Sequence, residues 1–136
     1  MAINSFDLQS ALFSLLSGDS TLDTLLGNNK IFDGIAPQGT AYPYIIISGE
    51  STSNIGTKSL DGNIYRVELD VWSQYRGAKQ IKDITQRIYT ILNNVTMNVS
   101  NASSVMSYVV SISSFAEVDG ITRHGLVLVD FTIYDN

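Results

Sequence analysis

Two stretches of the chain carry apolar residues at helical spacing, and four carry them at strand spacing. Over Ser5–Ser17, Leu8, Ala11, Leu12, Leu15 and Leu16 fall on one face at 100° per residue. Ser5 can cap this helix and Gly18 can end it. Phe6 and Phe13 lie off the centre of the stripe, so they pack on a second side or await a partner. A short helical turn follows, with Ser20-Thr21-Leu22-Asp23 read as an acidic capping box and Gly27 as its stop. Gly77–Asn93 is the strongest helix. Ile81, Ile84, Ile88, Ile91 and Leu92 make its stripe, and Lys79, Lys82, Asp83 and Arg87 its wet face. Lys79/Asp83 and Asp83/Arg87 are spaced for i,i+4 pairs.

The strand patterns are Tyr44–Ser48, with Pro43 at its entry, then Ile64–Trp72, Val105–Phe115 and Leu126–Tyr134. Ile31–Asp33 has the character of a short strand, and a turn-rich loop through Pro37 and Gly39 follows it. In the second pattern Tyr65, Val67, Leu69 and Val71 point one way and Arg66, Glu68, Asp70 and Trp72 the other. In the third, Met106, Tyr108, Val110 and Ile112 share a side. In the last, Val127, Val129, Phe131 and Ile133 point inward. Glu50–Gly62 is polar and reads as a hairpin arm or mobile loop, at about residues 50–63. Asn93–Ser104 is a second polar stretch. The order helix, strand, strand, helix, strand, strand predicts an α+β domain spanning residues 1–136. Its expected core is a mainly antiparallel four-stranded sheet with two main helices on one face.

If helices cover the Val67/Leu69/Val129/Phe131 face, the opposite face should be polar. It carries the charged residues Arg66, Glu68, Asp70 and Asp130, but also Trp72, Leu126, Leu128 and Tyr134. Such a mixed face is expected to bind a partner or a second copy unless the Glu50–Gly62 arm folds over it. Phe6 and Phe13 supply a second candidate patch.

Composition narrows the function. The 136 residues are 44% hydrophobic and 15% charged, with a net charge of −5. One core fits this length. An acidic chain is poorly suited to gripping phosphates. There is no cysteine and one histidine, which removes thiolate chemistry, disulfides and His-rich metal sites. Met1–Asp7 lacks the basic start of a signal peptide, and the longest apolar runs, such as Leu126–Val129, are far short of a membrane span. A soluble protein of the cytoplasm is expected. Three Asn-x-Ser/Thr triplets, at Asn94, Asn98 and Asn101, carry no meaning without secretion.

Candidate chemistry is thin. His124 has Asp119 and Asp130 near it in sequence, but no G-x-S-x-G elbow accompanies them. Glu68 and Asp70 are neighbours on one strand face, with Arg66 beside them for charge balance. The glycines match no phosphate-binding spacing. No cofactor, metal or catalytic residue is expected.

Four blocks together resemble a known family. They are Leu8-x-x-Ala11-Leu12-x-x-Leu15-Leu16-Ser17-Gly18-Asp19 with Leu22-x-x-Leu25-Leu26-Gly27; Lys30–Gln38 with Tyr42-Pro43-Tyr44-Ile45-Ile46-Ile47; Glu68-Leu69-Asp70-Val71-Trp72-Ser73 before an Ala78-x-x-Ile81 helix; and Asp119-Gly120-x-x-Arg123-His124-Gly125 before the last strand. In this order they are similar to the tail-completion proteins of long-tailed bacteriophages and gene transfer agents, also called tail terminators or tail-to-head joining proteins. The resemblance implies an α+β fold, no enzymatic activity and a homo-oligomer, a hexameric ring. It implies a ring on the head-proximal end of the tail tube that stops polymerisation and offers a surface for head joining. The partners implied are the tail tube protein and the head–tail connector protein. DNA passes through without specific binding, and no membrane is involved. The place implied is the virion's tail–head junction, after synthesis in the bacterial cytoplasm. Another head–tail connector or tail-assembly component acting on the head side is the alternative.

Overall fold

Long central strands and very short outer ones set this architecture. The computed structural model describes residues 5–99 and 105–135. Its elements run α1 (Ser5–Ser17), α2 (Ser20–Leu26), β1 (Ile31–Asp33), β2 (Tyr44–Asn54), β3 (Asp61–Ser73), α3 (Lys79–Leu92), β4 (Val95–Met97), β5 (Val105–Ala116) and β6 (Arg123–Asp135). The strands form one six-stranded sheet in the order β1-β2-β3-β6-β5-β4. β1 runs parallel to β2, and every other pair is antiparallel.

This corrects the expected four-stranded sheet with two main helices, although the class remains α+β. The sheet is mixed, and three helices lie among the described residues. The two extra strands are three residues each. β1 is the short strand read at Ile31–Asp33, here joined to the sheet edge, while the three residues of β4 are too few for a period-2 signal to separate them from a loop. β4 lies inside the polar stretch Asn93–Ser104 and is a strand because Met97 is buried and the segment pairs with Val105–Ser107. Residues 100–104 of that stretch, with the Asn101 triplet, lie outside the described residues, as does the Met1–Asn4 start of the leader reading.

The helices lie on one face of the sheet. Leu8, Leu12 and Leu16 of α1, Leu22 and Leu26 of α2, and Ile81, Ile84, Ile88 and Leu92 of α3 form one core. They meet Ile45, Tyr65, Val67, Leu69, Val71, Val127, Val129, Phe131 and Ile133 there. This is the 3.6-residue stripe of each helix set against the period-2 stripe of each strand. α3 crosses β3, β6 and β5. It comes close at Gly125, where a Cβ would stand 2.9 Å from Thr85 Cγ2 and 3.1 Å from Ile81 Cγ1.

Two local expectations change. The cap of α2 is Asp19 rather than Ser20, with its carboxylate accepting from the Leu22 N–H at 2.8 Å. Lys79 pairs with Asp83 at 2.6 Å as its spacing suggests. Arg87 turns away from Asp83 and binds Asp19 through two hydrogen bonds, of 2.8 and 2.7 Å. One carboxylate therefore caps α2 and ties it to α3. A bidentate partner and a half-buried setting outweigh an exposed i,i+4 pair.

Candidate assembly surface

Cross-strand pairing defines the face that the helices leave uncovered. Tyr44, Trp72, His124 and Phe115 form one row across β2, β3, β6 and β5. Ile46, Asp70, Leu126 and Ser113 form the next, then Gly49, Glu68, Leu128 and Ser111. Ser51, Arg66, Asp130 and Tyr108 follow, then Ser53, Ile64, Thr132 and Met106. Gly62 faces Tyr134 at the far end.

The first row is aromatic. The Trp72 and His124 rings stack at 4.0 Å and 12°, and Phe115 meets His124 edge-on at 5.0 Å. Phe32 and Tyr42 extend the run on the other side of Tyr44, at centroid distances of 6.2 and 5.1 Å. Burial, with a hydrogen bond to Tyr42, pushes the Tyr44 phenol up from its ordinary value. His124 lies between carboxylates as well as rings. Its Nε2 is 2.5 Å from Asp70 Oδ1, and its Nδ1 is 3.1 Å from Glu117 Oε1.

The middle rows are charged and satisfied. Arg66 makes a bidentate pair with Asp130, at 2.8 and 3.0 Å. Glu68 accepts from the Ser48 hydroxyl at 3.0 Å. The far rows are apolar again and open. Met106 is 54% exposed, as is Tyr108 at the end of the charged row, and Tyr134 is 47% exposed with its ring lying over Gly62. The face is thus a charged bar between two apolar bands.

The residues singled out from sequence divide as follows. Trp72, Leu126, Leu128 and Tyr134 do share one face with Arg66, Glu68, Asp70 and Asp130. Trp72, Leu126 and Leu128 are half-buried among their neighbours. Phe6 (66% exposed) and Phe13 (43%) lie seven residues apart on α1, in the helix layer on the other side of the sheet. The carboxylates near His124 in sequence are not its partners, because Asp119 bonds Ile121 and Thr122 and Asp130 bonds Arg66. The Glu50–Gly62 segment is the far end of the β2–β3 hairpin, paired as far as Asn54 and Asn63.

Sequence reasoning missed the membership of Phe115 and Ile46 in this face. It also grouped Ile112 with Met106 and Tyr108. A bulge between Val109 and Ser111 breaks the alternation, so that Ile112 opposes Val127 on the helix side while Phe115 opposes His124. No residue type in Val109-Val110-Ser111 marks that bulge.

A family model described as tail completion protein gp17 matches residues 10–134. The chain belongs to that family. Its members are structural tail proteins rather than enzymes. The tail completion protein gp17 of Bacillus phage SPP1 is 30% identical over 95 residues, 70% of each chain. Among solved structures, a chain from the virion of a native gene transfer agent particle superposes with a TM-score of 0.87 at 17% identity, covering 96% of this chain and 97% of that one. The bacteriophage SPP1 gp17 structure gives 0.55 at 23% identity, covering 95% and 90%. At these identities the structural likeness speaks for the fold. Family membership rests on the family model and the phage relative.

Proposed function

We propose that this chain is a tail terminator, a virion component forming a hexameric ring on the head-proximal end of a tail tube. The ring stops tube polymerisation and presents the surface on which the head joins. The observation that carries this reading is the uncovered sheet face of a protein belonging to a tail completion family. An isolated monomer gains nothing from Met106, Tyr108, Phe115 and Tyr134 in water, whereas an assembly subunit buries them. The Trp72–Leu128 face and the Phe6/Phe13 side of α1 are the surfaces offered to neighbouring copies, the tube protein and the connector protein. Two unlike patches suit a closed ring, whose contacts are heterologous. A net charge of −5 suits a passage that DNA crosses without being held, because like charges release no counterions. The distal β2–β3 hairpin is the arm that reaches a neighbour or the tube.

The alternative is another head–tail connector or tail-assembly component acting on the head side. The particle context of the gene transfer agent relative fits either position. Locating the chain separates them. With a gold-labelled affinity tag after Asn136, the terminator reading expects label at the tube end of separated tails. Label retained on separated heads would favour the head-side component.

A further inference from the structure

Both edges of the sheet are only half covered. β1 pairs with Ile45–Ile47 and stops, leaving Gly49–Asn54 of β2 without a neighbour on that side among the described residues. β4 pairs with Val105–Ser107 and stops, leaving Val110–Ala116 of β5 likewise open among the described residues. Every residue of both segments is exposed. Exposed edges are normally guarded by proline, lysine or inward charge. Val110–Ala116 has no charge and no proline, and Gly49–Asn54 has Glu50 alone.

We infer that these two edges join each other between copies, β5 of one copy pairing antiparallel with the distal β2 of the next. This deepens the ring reading above and rests on it. Direction comes first. β2 and β6 run alike, and β5 runs against them. A second copy placed beside the first in the same orientation therefore brings β2 to β5 antiparallel. Side-chain register comes next. Ser51 opposes Arg66 and Ser113 opposes Leu126, so both serines project from the uncovered face. Setting Ser51 opposite Ser113 keeps all the helices on one side of a continuous sheet. In this register β1 of the second copy lies on the line of β5 at its Ala116 end, and β4 lies on the line of the incoming β2 at its Asn54 end, so the two short strands bound the stretch that can pair.

The open segments lie diagonally across the sheet, and this offset has the size that closure needs. Ser51 is in the row of Arg66, and Ser113 is in the row of Asp70. One copy thus steps four strand spacings, about 19 Å across, and four residues, about 13 Å along the strands. The strands then tilt by about 35° from the ring axis, which is the tilt of closed β-barrels. The two edges differ in sequence, so the contact is heterologous and continues from copy to copy until it closes. Joined in this way, the copies pair through their edges, and the two faces are left for the remaining contacts with neighbouring copies, the tube and the connector.

The chain has no cysteine, which makes cross-linking clean. Full-length Ser51→Cys and Ser113→Cys proteins are assembled, singly and mixed, and treated with a short bismaleimide that tolerates a one-residue difference in register. Rings are scored in parallel by electron microscopy. The expected result is a cross-linked dimer in the mixture and none in either variant alone, with the double variant giving a ladder up to the full ring. Amide exchange is read on unsubstituted protein as a second measure. Gly49–Asn54 and Val110–Ala116 should slow at least tenfold on assembly. Rings without cross-link and without protection overturn the edge pairing and leave the ring reading standing. Dimers in one variant alone overturn the heterologous contact. Absence of any ring overturns both.

Discussion

His124 is the residue on which the aromatic end of the uncovered face is organised. It holds Asp70, which is 7% exposed, and stacks on Trp72. His124→Ala leaves a buried carboxylate without its partner, and the expected cost is about 1–3 kcal/mol in urea unfolding. Trp72 is the only tryptophan, so its emission should shift to the red as its ring becomes wetter. Asp19 gives a second test. Its carboxyl is held below the ordinary value of 3.8, first by the Arg87 hydrogen bond and also by the Leu22 N–H. A depressed folded value means stability that is present above 3.8 and lost as the pH falls through the lower folded value. Asp19→Ala should cost about 1–2 kcal/mol at pH 7, chiefly the lost cap. The deficit should shrink toward pH 3, as paired urea titrations at the two pH values would read. The cap was not legible from sequence because Asp19 and Ser20 are both good N-cap residues and the capping-box spacing favours Ser20. The distant Arg87 decides between them, and no local pattern reports a partner in another helix.

At the scale of elements, the long periodic segments were legible, as were the short strand Ile31–Asp33 and the short helix before Gly27, whereas β4 was not. α1, α3 and the inward faces of β3 and β6 follow from spacing alone, since each spans several turns or alternations. β1 and β4 owe their strand conformation to the neighbours they pair with. The bulge in β5 owes nothing to a recognisable residue. α3 approaches β6 closely at Gly125, which reads in sequence only as part of a turn leading into the strand. A methyl there meets Thr85 and Ile81 within 3.1 Å, and the β-branched Thr85 has little freedom to yield. Gly125→Ala should destabilise by about 1–3 kcal/mol through overpacking, measured by chemical denaturation. The change should fall on α3 packing and leave the Arg66–Asp130 pair on the other face intact.

For the whole molecule, the sequence pattern revealed a second sheet face that was too apolar to be plain surface, and the structure shows its layout. The charged bar of Arg66 and Asp130, with Tyr108 at its end, separates an aromatic row from the open Met106 and Tyr134. The pairing of rows across four strands was not legible, because register between distant segments depends on bulges and on which strands become neighbours. Tyr108 is exposed, so Tyr108→Glu should fold with unchanged circular dichroism and melting while particle assembly falls by at least tenfold in complementation. Full assembly by that variant would remove Tyr108 from the interface.

The central claim is termination at the head-proximal tube end. Its most direct test is deletion of this gene from the strain that makes the particle, followed by electron microscopy of the lysate. The account expects filled heads beside headless tails, with some tails of abnormal length. Normal infectious particles would contradict it, and tails of uniform normal length that merely fail to join heads would move the protein to the connector side.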